Sequence, residues 1–325
     1  MLNDRINVGI VGLGFAGTIH IEKLSLNKFI HITDVCDVDQ EKLEAARDLI
    51  FKLSGKRVRT HKNYEDIFKH DIDAIFIATP AKTHYEILKL AIQNKKHVFV
   101  EKPLTSSYKQ GLEIANVASQ TGIIVQVGHV ERFNNAYKFA KEYVKSPGYI
   151  RAERLSQFPG RGTDIDVIFD IMIHDIDAIV GLIKDVKIDF VEGMGVPVIT
   201  DKVDIATARI RFSSGCLAEL TSSRVSYRKF RKMRIFQPGI YISIDFLERK
   251  TEIYRRIRNN GRFEVEAQIK TFQDSDPMKD EIESFINTLR SGRNSEIPPS
   301  EALKSVLIAE KIRESLFFMQ ENSIG

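Results

Sequence analysis

The sequence predicts two consecutive domains: an α/β domain on a doubly wound parallel sheet, and an α+β domain with an open, mainly antiparallel sheet. Three observations support this prediction. Short, nearly continuous apolar segments alternate with helical patterns up to Val127, and beyond Gly128 strand-like segments follow one another across short turns. The length of 325 residues also suffices for two domains that each bury a core. We place the domains at residues 1–127 and 128–325, without a flexible linker.

The first domain begins with a strand and then alternates helices and strands. Strands that lack apolar–polar alternation are buried on both faces, which is typical of a parallel sheet covered by helices. The predicted strands are Ile6–Val11, Ile30–Cys36, Ala74–Ala78, His97–Val100 and Ile123–Val127. The helical patterns between them lie at Thr18–Leu26, Gln40–Leu53, Tyr64–Phe68, Thr83–Asn94 and Ser107–Gln120.

The second domain has a different order of elements. Ser213-Ser214-Gly215 and Gln237-Pro238-Gly239 mark turns, and strands joined by short turns pair antiparallel. The predicted strands are Val203–Phe212, Cys216–Arg224, Lys232–Phe236, Gly239–Phe246 and Lys250–Arg256. We expect a helix before the sheet at Asp164–Lys184, and helices after it at Pro277–Ser291 and Glu301–Gln320, the last capped by Ser300.

The first strand leads directly into the turn Gly12-Leu13-Gly14-Phe15-Ala16-Gly17. In this spacing Gly12 allows a tight bend, Gly14 lets the backbone approach a pyrophosphate, and Gly17 lets the helix pack closely on the strand. The phosphates would lie at the helix N-terminus, beside Phe15 and Ala16, where free N–H groups favour negative charge. The turn therefore predicts a dinucleotide site on a Rossmann domain. The alternative is the same fold with a cofactor loop that no longer binds.

Asp37 follows the second strand, about 20 residues after the glycines. An acidic side chain at this place accepts hydrogen bonds from the adenosine ribose and repels a 2′-phosphate. We therefore expect NAD as the cofactor in preference to NADP.

The composition, 43% hydrophobic and 28% charged, is that of a soluble globular protein. We see no apolar run long enough for a membrane span, and Met1–Arg5 leads at once into the first strand without room for a signal peptide. Cys36 and Cys216 lie in apolar contexts and are too few for a disulfide framework or a structural zinc site. We expect buried thiols, no metal, and a cytoplasmic location.

The net charge of +4 does not indicate a nucleic-acid partner. Basic residues nevertheless crowd two segments, which are either solvated faces or contacts for an anionic substrate. These residues are Arg224, Arg228, Lys229, Arg231, Lys232 and Arg234, and then Arg255, Arg256, Arg258 and Arg262.

Polar residues follow the third and fourth strands, where ligands bind in doubly wound sheets. We expect Thr79 and Pro80 to line the cofactor pocket, and His84 either to contact the cofactor or to lie on the surface. Glu101-Lys102-Pro103 follows the fourth strand, and we assign Glu101 and Lys102 to the cofactor site rather than to a solvated strand end. Lys102 would stabilise an alkoxide as an alcohol is oxidised. Pro103 would fix the turn, and a cis peptide bond is one way to do so.

A second group of polar residues lies on the predicted helix Asp164–Lys184. Asp170 and His174 are four residues apart and would share a helix face. Histidine is suited to take the hydroxyl proton while a hydride leaves the carbon, and Asp170 would orient His174 or bind a sugar hydroxyl. The alternative is a satisfied helix histidine, with Asp175 and Asp177 facing solvent. Arg132, after the fifth strand, is either an anion ligand at the cofactor site or a structural ion-pair partner.

Together these motifs resemble, over the whole chain, the oxidoreductases named after glucose-fructose oxidoreductase and inositol dehydrogenase. The glycine turn, Glu101-Lys102-Pro103, and Asp170 with His174 occur in the order and spacing of that family. The resemblance implies a Rossmann domain, an open mainly antiparallel sheet through which subunits pack into dimers or tetramers, and Lys102 and His174 as catalytic residues. One departure is Met172, where the family often has glycine.

Two segments are similar to a branch that oxidises the 3-hydroxyl of UDP-N-acetylglucosamine. They are Gly128–Asn134 and Asp166–Asp177. The resemblance implies a nucleotide-sugar substrate and a ketone product that an aminotransferase converts to an amine, in bacteria for a diamino sugar of lipid A.

The leading hypothesis is therefore an NAD-dependent dehydrogenase of this nucleotide sugar. Its substrate would contact Lys102, Asp170 and His174, and its diphosphate would bind Arg154, Arg161 and Arg224. The alternatives are a dehydrogenase of a free sugar or cyclitol, a glycosidase that uses tightly held NAD, and a protein that binds NAD without turnover.

Overall fold

The computed structural model describes residues 5–158, 160 and 165–317. The described chain forms two compact units, one from residues 5–129 and 278–306 and the other from residues 130–277 and 307–317. None of the helices in these residues combines the length and apolar character that crossing a membrane requires.

The first unit contains a sheet of parallel strands. Its strands are β1 (Ile6–Val11), β2 (Ile30–Cys36), β3 (Arg59–His61), β4 (Ala74–Ile77), β5 (His97–Glu101) and β6 (Val125–Gly128). Their order is β3-β2-β1-β4-β5-β6. The chain adds β2 and β3 on one side of β1, and then crosses back to add β4, β5 and β6 on the other side. The predicted doubly wound α/β fold is confirmed. The short strand β3 escaped prediction because its three residues are polar and carry no apolar pattern.

Helices follow most of these strands. They are α1 (Phe15–Ser25), α2 (Gln40–Ser54), α3 (Ala81–Gln93) and α4 (Tyr108–Thr121). A side chain caps the N-terminus of two of these helices. Asp39 accepts a hydrogen bond from the Glu41 N–H at the start of α2, and Ser107 accepts one from the Gln110 N–H at the start of α4. The predicted helix at Tyr64–Phe68 is a 3₁₀ helix, Tyr64–Lys69.

Helix α7 (Pro277–Ser291) brings a late part of the chain into the first unit. Its residues Ile282, Phe285, Ile286 and Leu289 belong to the same buried cluster as residues of β1, β2, β4 and β5. The Phe285 ring lies 5.5 Å from that of Phe76 and 5.8 Å from that of Phe99, centroid to centroid. Residues 278–306 therefore belong to the first unit, whereas the sequence analysis placed all of 128–325 in the second.

The second unit contains an open, mainly antiparallel sheet, as predicted. Its strands are β7 (Tyr149–Leu155), β8 (Ile188–Val196), β9 (Ile205–Phe212), β10 (Leu217–Ser223), β11 (Phe230–Gln237), β12 (Ile240–Asp245), β13 (Lys250–Asn259), β14 (Arg262–Thr271) and β15 (Leu316–Phe317). The order is β14-β13-β12-β11-β7-β10-β9-β8-β15. Strand β7 lies between β10 and β11 and pairs in parallel with β10. The expectation that consecutive strands pair is therefore wrong for β10 and β11.

The helical segments of the second unit are short. They are a 3₁₀ helix at Val130–Phe133, α5 (Asn135–Lys141), a π-helical turn at Ile168–Met172, and α6 (Ile173–Val180). The predicted helix Asp164–Lys184 thus begins outside the described residues and is shorter than expected. Helix α8 (Pro299–Glu314) contributes its residues up to Val306 to the first unit and its remaining residues to the second.

Both cysteines are free and buried, as predicted. Burial raises the pKa of the Cys36 thiol to about 12 and that of the Cys216 thiol to about 11. Both thiols are therefore protonated and poorly nucleophilic at neutral pH.

Candidate active site

The three glycines of the turn in the first unit differ in the space around them. Gly12 has a φ of +90°, and a Cβ there would lie 2.5 Å from the carbonyl oxygen of Ala78. A Cβ at Gly17 would collide with the carbonyl oxygen of Gly12, whereas one at Gly14 would have no atom within 4 Å. The open space at Gly14 adjoins the N-terminus of α1, which no side chain caps within the described residues, and where Phe15 is 64% exposed. These features fit a bound dinucleotide.

Asp37 is held at the carboxyl end of β2 by the turn itself. One carboxylate oxygen accepts a hydrogen bond of 2.8 Å from the Leu13 N–H, and the other accepts one of 3.0 Å from the Asp39 N–H. Each oxygen retains a further lone pair, so the fixed carboxylate is suited to accept hydrogen bonds from a ribose. The ribose contact of Asp37 stays a prediction.

His84 does not lie on the surface. Its side chain lies inside the first unit and contacts the turns that follow β4 and β5. Its side chain is fully buried, with Nδ1 2.8 Å from the Pro103 carbonyl oxygen and Nε2 2.9 Å from that of Thr79. Burial is the main reason that the pKa of His84 is below its usual value. Both predictions for His84, a cofactor contact and a surface residue, are corrected. Thr79 is half-buried and Pro80 is exposed at the start of α3, so both keep positions suited to a pocket wall.

Glu101 lies at the end of β5 and Lys102 directly after it. The Glu101 carboxylate lies 2.8 Å from Nε2 of His20, whose ring packs against both Phe76 and Phe99. Burial alone would raise the pKa of Glu101, but the hydrogen bond from His20 and the charge of Lys102 lower it below its usual value. Lys102 is half-buried and is joined to Pro103 by a cis peptide bond. Glu101 is therefore part of an internal pair that anchors the turn carrying Lys102.

His20 was not predicted as part of the site. It lies three residues after Gly17, among the buried residues of α1 with Ile21 and Leu24. A polar residue on the apolar face of a helix that follows a dinucleotide turn was the available signal.

In the second unit, Asp170 and His174 lie on either side of a change in helix type. Asp170 is in the π-helical turn and His174 is in the first turn of α6, and both are half-buried. The N–H of Ile173 donates to the carbonyl of Ile168, five residues earlier. Residues four apart share a face only in an uninterrupted α-helix, so the relation of these two side chains depends on the π turn.

Asp175 and Asp177 are buried in ion pairs and do not face solvent. Arg132 donates to both oxygens of Asp177, at 2.7 and 2.9 Å, and Arg154 donates to Asp175 at 2.7 Å. Burial raises the pKa of Asp175 although the Arg154 cation opposes this. Arg132 thus forms the structural ion pair that was its alternative role. Arg154, with a side chain only 3% exposed, is not available to a diphosphate, which corrects its predicted role.

Arg224 is also internal. Its side chain is fully buried, and its Nε donates to Asp204 at 2.8 Å while Nη1 donates to the Ile165 carbonyl oxygen at 2.8 Å. Its predicted role as a diphosphate ligand is corrected for the same reason. Arg161, the third candidate, lies outside the described residues.

A third polar cluster lies at the β2–β3 edge of the first unit. Asp34, His61 and His70 place possible metal-ligand atoms within 4.8 Å of one another. However, the guanidinium of Arg59 donates to both oxygens of Asp34 at 2.8 Å, and already supplies the positive charge that the carboxylate needs. The buried Asp34 carboxylate is therefore already paired with the half-exposed guanidinium of Arg59.

Comparison with known proteins gives relatives that match most of the chain. Residues 6–129 match a family model described as an oxidoreductase family with an NAD-binding Rossmann fold. The chain is 32% identical over 292 residues to UDP-N-acetylglucosamine 3-dehydrogenase of Acidithiobacillus ferrooxidans, covering 89% of this chain and 90% of that protein. It is 24% identical to myo-inositol 2-dehydrogenase of Thermotoga maritima, covering 96% of each.

Solved structures agree with these relatives. The structure of the Acidithiobacillus ferrooxidans enzyme matches with a TM-score of 0.86 and 29% identity, covering 97% of this chain and 98% of that one. The structure of scyllo-inositol dehydrogenase from Lactobacillus casei, with bound NAD(H) and scyllo-inositol, matches with a TM-score of 0.80 and 20% identity over 96% of this chain and 97% of that one. The second likeness, at this identity, establishes the fold.

Proposed function

Because the chain belongs to the oxidoreductase family with an NAD-binding Rossmann fold, we propose that it oxidises the 3-hydroxyl of UDP-N-acetylglucosamine to a ketone. The observation that carries this proposal is the 32% identity, over 89% of the chain, to an enzyme named for that reaction. Membership of the family makes the chain an NAD-dependent dehydrogenase of a sugar or polyol. The particular sugar and the particular hydroxyl are the proposed part.

The first unit would hold NAD through the glycine turn and Asp37. The open space at Gly14 and the α1 N-terminus would receive the pyrophosphate, and Asp37 would bind the adenosine ribose. When bound, NAD accepts the hydride that leaves the carbinol carbon. Lys102 would place a positive charge beside the substrate oxygen, which stabilises the alkoxide that forms as the proton leaves.

The second unit would supply the proton acceptor. We assign the hydroxyl proton to His174, since a neutral imidazole is the usual base for this task near pH 7. The half-buried position of His174 supports this role because the ring is sheltered but still reachable. Asp170 would orient the sugar by accepting a hydrogen bond from a second hydroxyl.

An exposed loop offers new candidates for the UDP group, now that Arg154 and Arg224 are excluded. The parallel strands β7 and β10 end side by side, with Leu155 opposite Ser223, and the chain after β10 carries Tyr227, Arg228 and Lys229. These three side chains are exposed, Tyr227 by 86%, and neither cation forms a salt bridge among the residues with described positions. A planar ring beside two cations suits a base and a diphosphate.

We further propose that the enzyme works as a dimer or tetramer in the cytoplasm, followed by an aminotransferase. A row of stacked rings, Tyr149, Phe236, Tyr241 and Tyr254, crosses one face of the open sheet. Phe263, Val265 and Ile269 on β14 are each more than half exposed. An apolar face of this kind is typical of a subunit interface. The ketone product needs an amino donor to become a diamino sugar, as lipid A synthesis would require.

One alternative has support of its own, namely the match to myo-inositol 2-dehydrogenase over 96% of the chain. A cyclitol dehydrogenase would have no use for a nucleotide. Competition by UDP separates the two possibilities: it inhibits an enzyme that binds a nucleotide sugar and leaves a cyclitol enzyme unaffected.

The test combines purified protein, NAD and UDP-N-acetylglucosamine with an aminotransferase and glutamate, which remove the ketone as it forms. We expect reduced nicotinamide and a product with an amine at C3, identified by mass spectrometry and NMR. His174→Ala and Lys102→Ala should each lower kcat by about 100-fold or more while NAD still binds. Near-normal turnover in both variants would contradict the residue roles, and absence of any turnover in protein that binds NAD would contradict the substrate.

A further inference from the structure

We propose that two buried ion pairs, Arg132–Asp177 and Arg154–Asp175, are positioning devices that fix the orientation of His174. This inference rests on the proposed function, in which His174 takes the substrate proton. Arg132 and Arg154 are positioning residues because they act through the helix that carries His174.

The first pair holds α6 on the side of Asp177. The guanidinium of Arg132 donates to both carboxylate oxygens, at 2.7 and 2.9 Å, and the two side chains are 11% and 1% exposed. Such a two-pronged contact fixes both distance and direction. The fit around it is tight, since a Cβ at Gly181 would collide with the guanidinium of Arg132 and the hydroxyl of Tyr137.

The second pair holds α6 through Asp175, the residue directly after His174. Arg154 on β7 donates to one oxygen of Asp175 through Nε at 3.1 Å and Nη2 at 2.7 Å. Its Nη1 donates to Glu131 at 2.7 Å, and its guanidinium lies 5.5 Å from the centre of the Phe246 ring. Attraction to the two carboxylates outweighs burial, so the pKa of Arg154 lies above its usual value.

Both pairs lead back to two adjacent residues. Glu131 and Arg132 lie together in the 3₁₀ helix Val130–Phe133: Arg132 contacts Asp177 directly, and Glu131 contacts Asp175 through Arg154. A short segment of chain thus holds α6 at two points, two residues apart.

The π turn explains why external fixing is needed. Helix α6 spans only Ile173–Val180, and the turn before it has the wide hydrogen bond from Ile173 to Ile168. Helices this short are marginal by themselves, and π turns are less regular than α turns. Helical periodicity alone therefore does not set the direction of His174, and we infer that contacts further along α6 contribute to it.

Stability alone is a poor explanation for these charges. The other residues of α6 after His174, Ile176, Ala178, Ile179 and Val180, are buried and apolar. Replacing a buried ion pair by apolar residues of similar volume is often neutral or stabilising, because the charges no longer have to leave water. The two carboxylates near His174 thus cost free energy that apolar residues in their place would not. What they contribute is a fixed orientation of His174.

The test replaces a whole pair, which removes the charges together. The double variant Arg132→Met/Asp177→Leu should fold with a melting temperature close to that of the wild type and bind NAD equally well. The NMR signal of the His174 ring, assigned by its loss in His174→Gln, should shift or split. The kcat should fall about tenfold or more, with a smaller change in KM, because the base is no longer aligned. The control is Arg59→Met/Asp34→Leu, which removes an ion pair of the first unit between the buried Asp34 and the half-exposed Arg59, and should leave the His174 signal unchanged.

A folded double variant whose His174 signal and kcat equal those of the wild type would overturn the proposal. If the double variant does not fold, Arg132→Lys keeps the charge but loses the two-pronged contact, and an unchanged His174 signal there would overturn it equally. If the wild type does not oxidise UDP-N-acetylglucosamine, the proposed function fails, and the NMR signal still decides whether these pairs orient His174.

Discussion

At the scale of single residues, each glycine of the Gly12–Gly17 turn meets a different steric demand. Gly12 lies against the Ala78 backbone with a positive φ, and Gly17 lies against the carbonyl of Gly12. Gly14 has open space where its Cβ would be, and its φ of −72° is one that any residue adopts. Folding therefore requires Gly12 and Gly17, whereas we expect Gly14 to be required by the cofactor that approaches the turn.

Alanine substitutions separate these two demands. Gly14→Ala should leave the melting temperature unchanged but weaken NAD binding about tenfold, because the methyl group occupies the space that the pyrophosphate needs. Gly17→Ala should lower the melting temperature, since the collision is with backbone that cannot move aside. Calorimetry for NAD affinity and thermal unfolding for stability give both quantities. Unchanged NAD affinity in Gly14→Ala would argue against a cofactor over this turn.

At the scale of elements, the buried Arg224 and its partner Asp204 stabilise the segment before β9. Asp204 accepts hydrogen bonds from the N–H groups of Val198, Ile199 and Thr200 and pairs with Arg224. Burial alone would raise the pKa of Asp204, but these contacts lower it well below the usual value. Arg224 therefore holds this segment in place and is not a substrate ligand.

Acid should destabilise this segment. A carboxylate whose pKa is lowered by folding adds stability above its unfolded pKa of about 4, and that stability is lost as the pH falls below it. Asp204→Asn should cost about 3 kcal/mol of unfolding free energy at pH 7 and lose less stability than the wild type between pH 5 and pH 2. Urea unfolding at several pH values measures both effects. An equal acid sensitivity in both proteins would contradict the role of Asp204.

Arg224→Met gives a direct check on the corrected assignment. We expect it to lower the unfolding free energy by about 3 kcal/mol, since Asp204 is left buried without its cation. In the folded fraction the KM for the nucleotide sugar should be unchanged. Arg228→Ala should do the reverse, raising KM while the melting temperature stays constant. A raised KM with unchanged stability in Arg224→Met would restore the original role.

The sequence predicted a strand well where a single apolar pattern runs through the whole strand. Apolar runs located β1, β2, β4 and β5 within a residue or two, because both faces of these strands are buried. Strands β3, β7, β8, β14 and β15 were not predicted. Strand β7 alternates with charged residues, β14 is almost wholly exposed, and β15 lies within the predicted helix Glu301–Gln320. The glycine turn and Asp37 could be located because their spacing is a known motif, although Asp37 contacts Leu13, 24 residues earlier in the chain. The roles of Arg154 and Arg224 could not, since their partners lie 20 or more residues away along the chain.

At the scale of the whole molecule, two units contribute different parts of the proposed chemistry. The first binds the cofactor and gains α7 from late in the chain, because the apolar face of that helix packs on the parallel sheet. The second carries His174 and the open sheet, one face of which carries the row of stacked rings. The exposed sheet face is the surface through which we propose that the protein self-associates.

Self-association through that face has a simple test. Phe263 and Val265 are two residues apart on β14, so their side chains lie on the same face of the strand. The double variant Phe263→Glu/Val265→Glu should shift the protein to its monomer mass of 37.1 kDa in light scattering, while the melting transition remains cooperative. An oligomer of unchanged size would place the interface elsewhere.

The most direct test of the central claim follows the hydride itself. The enzyme is given NAD and UDP-N-acetylglucosamine that carries deuterium at C3, and the reduced nicotinamide is analysed by mass spectrometry. Oxidation of the 3-hydroxyl predicts one deuterium in the reduced cofactor, and a slower rate than with unlabelled sugar if hydride transfer limits turnover. Reduced cofactor without deuterium would show that another carbon is oxidised, and no reduced cofactor would contradict the proposed substrate.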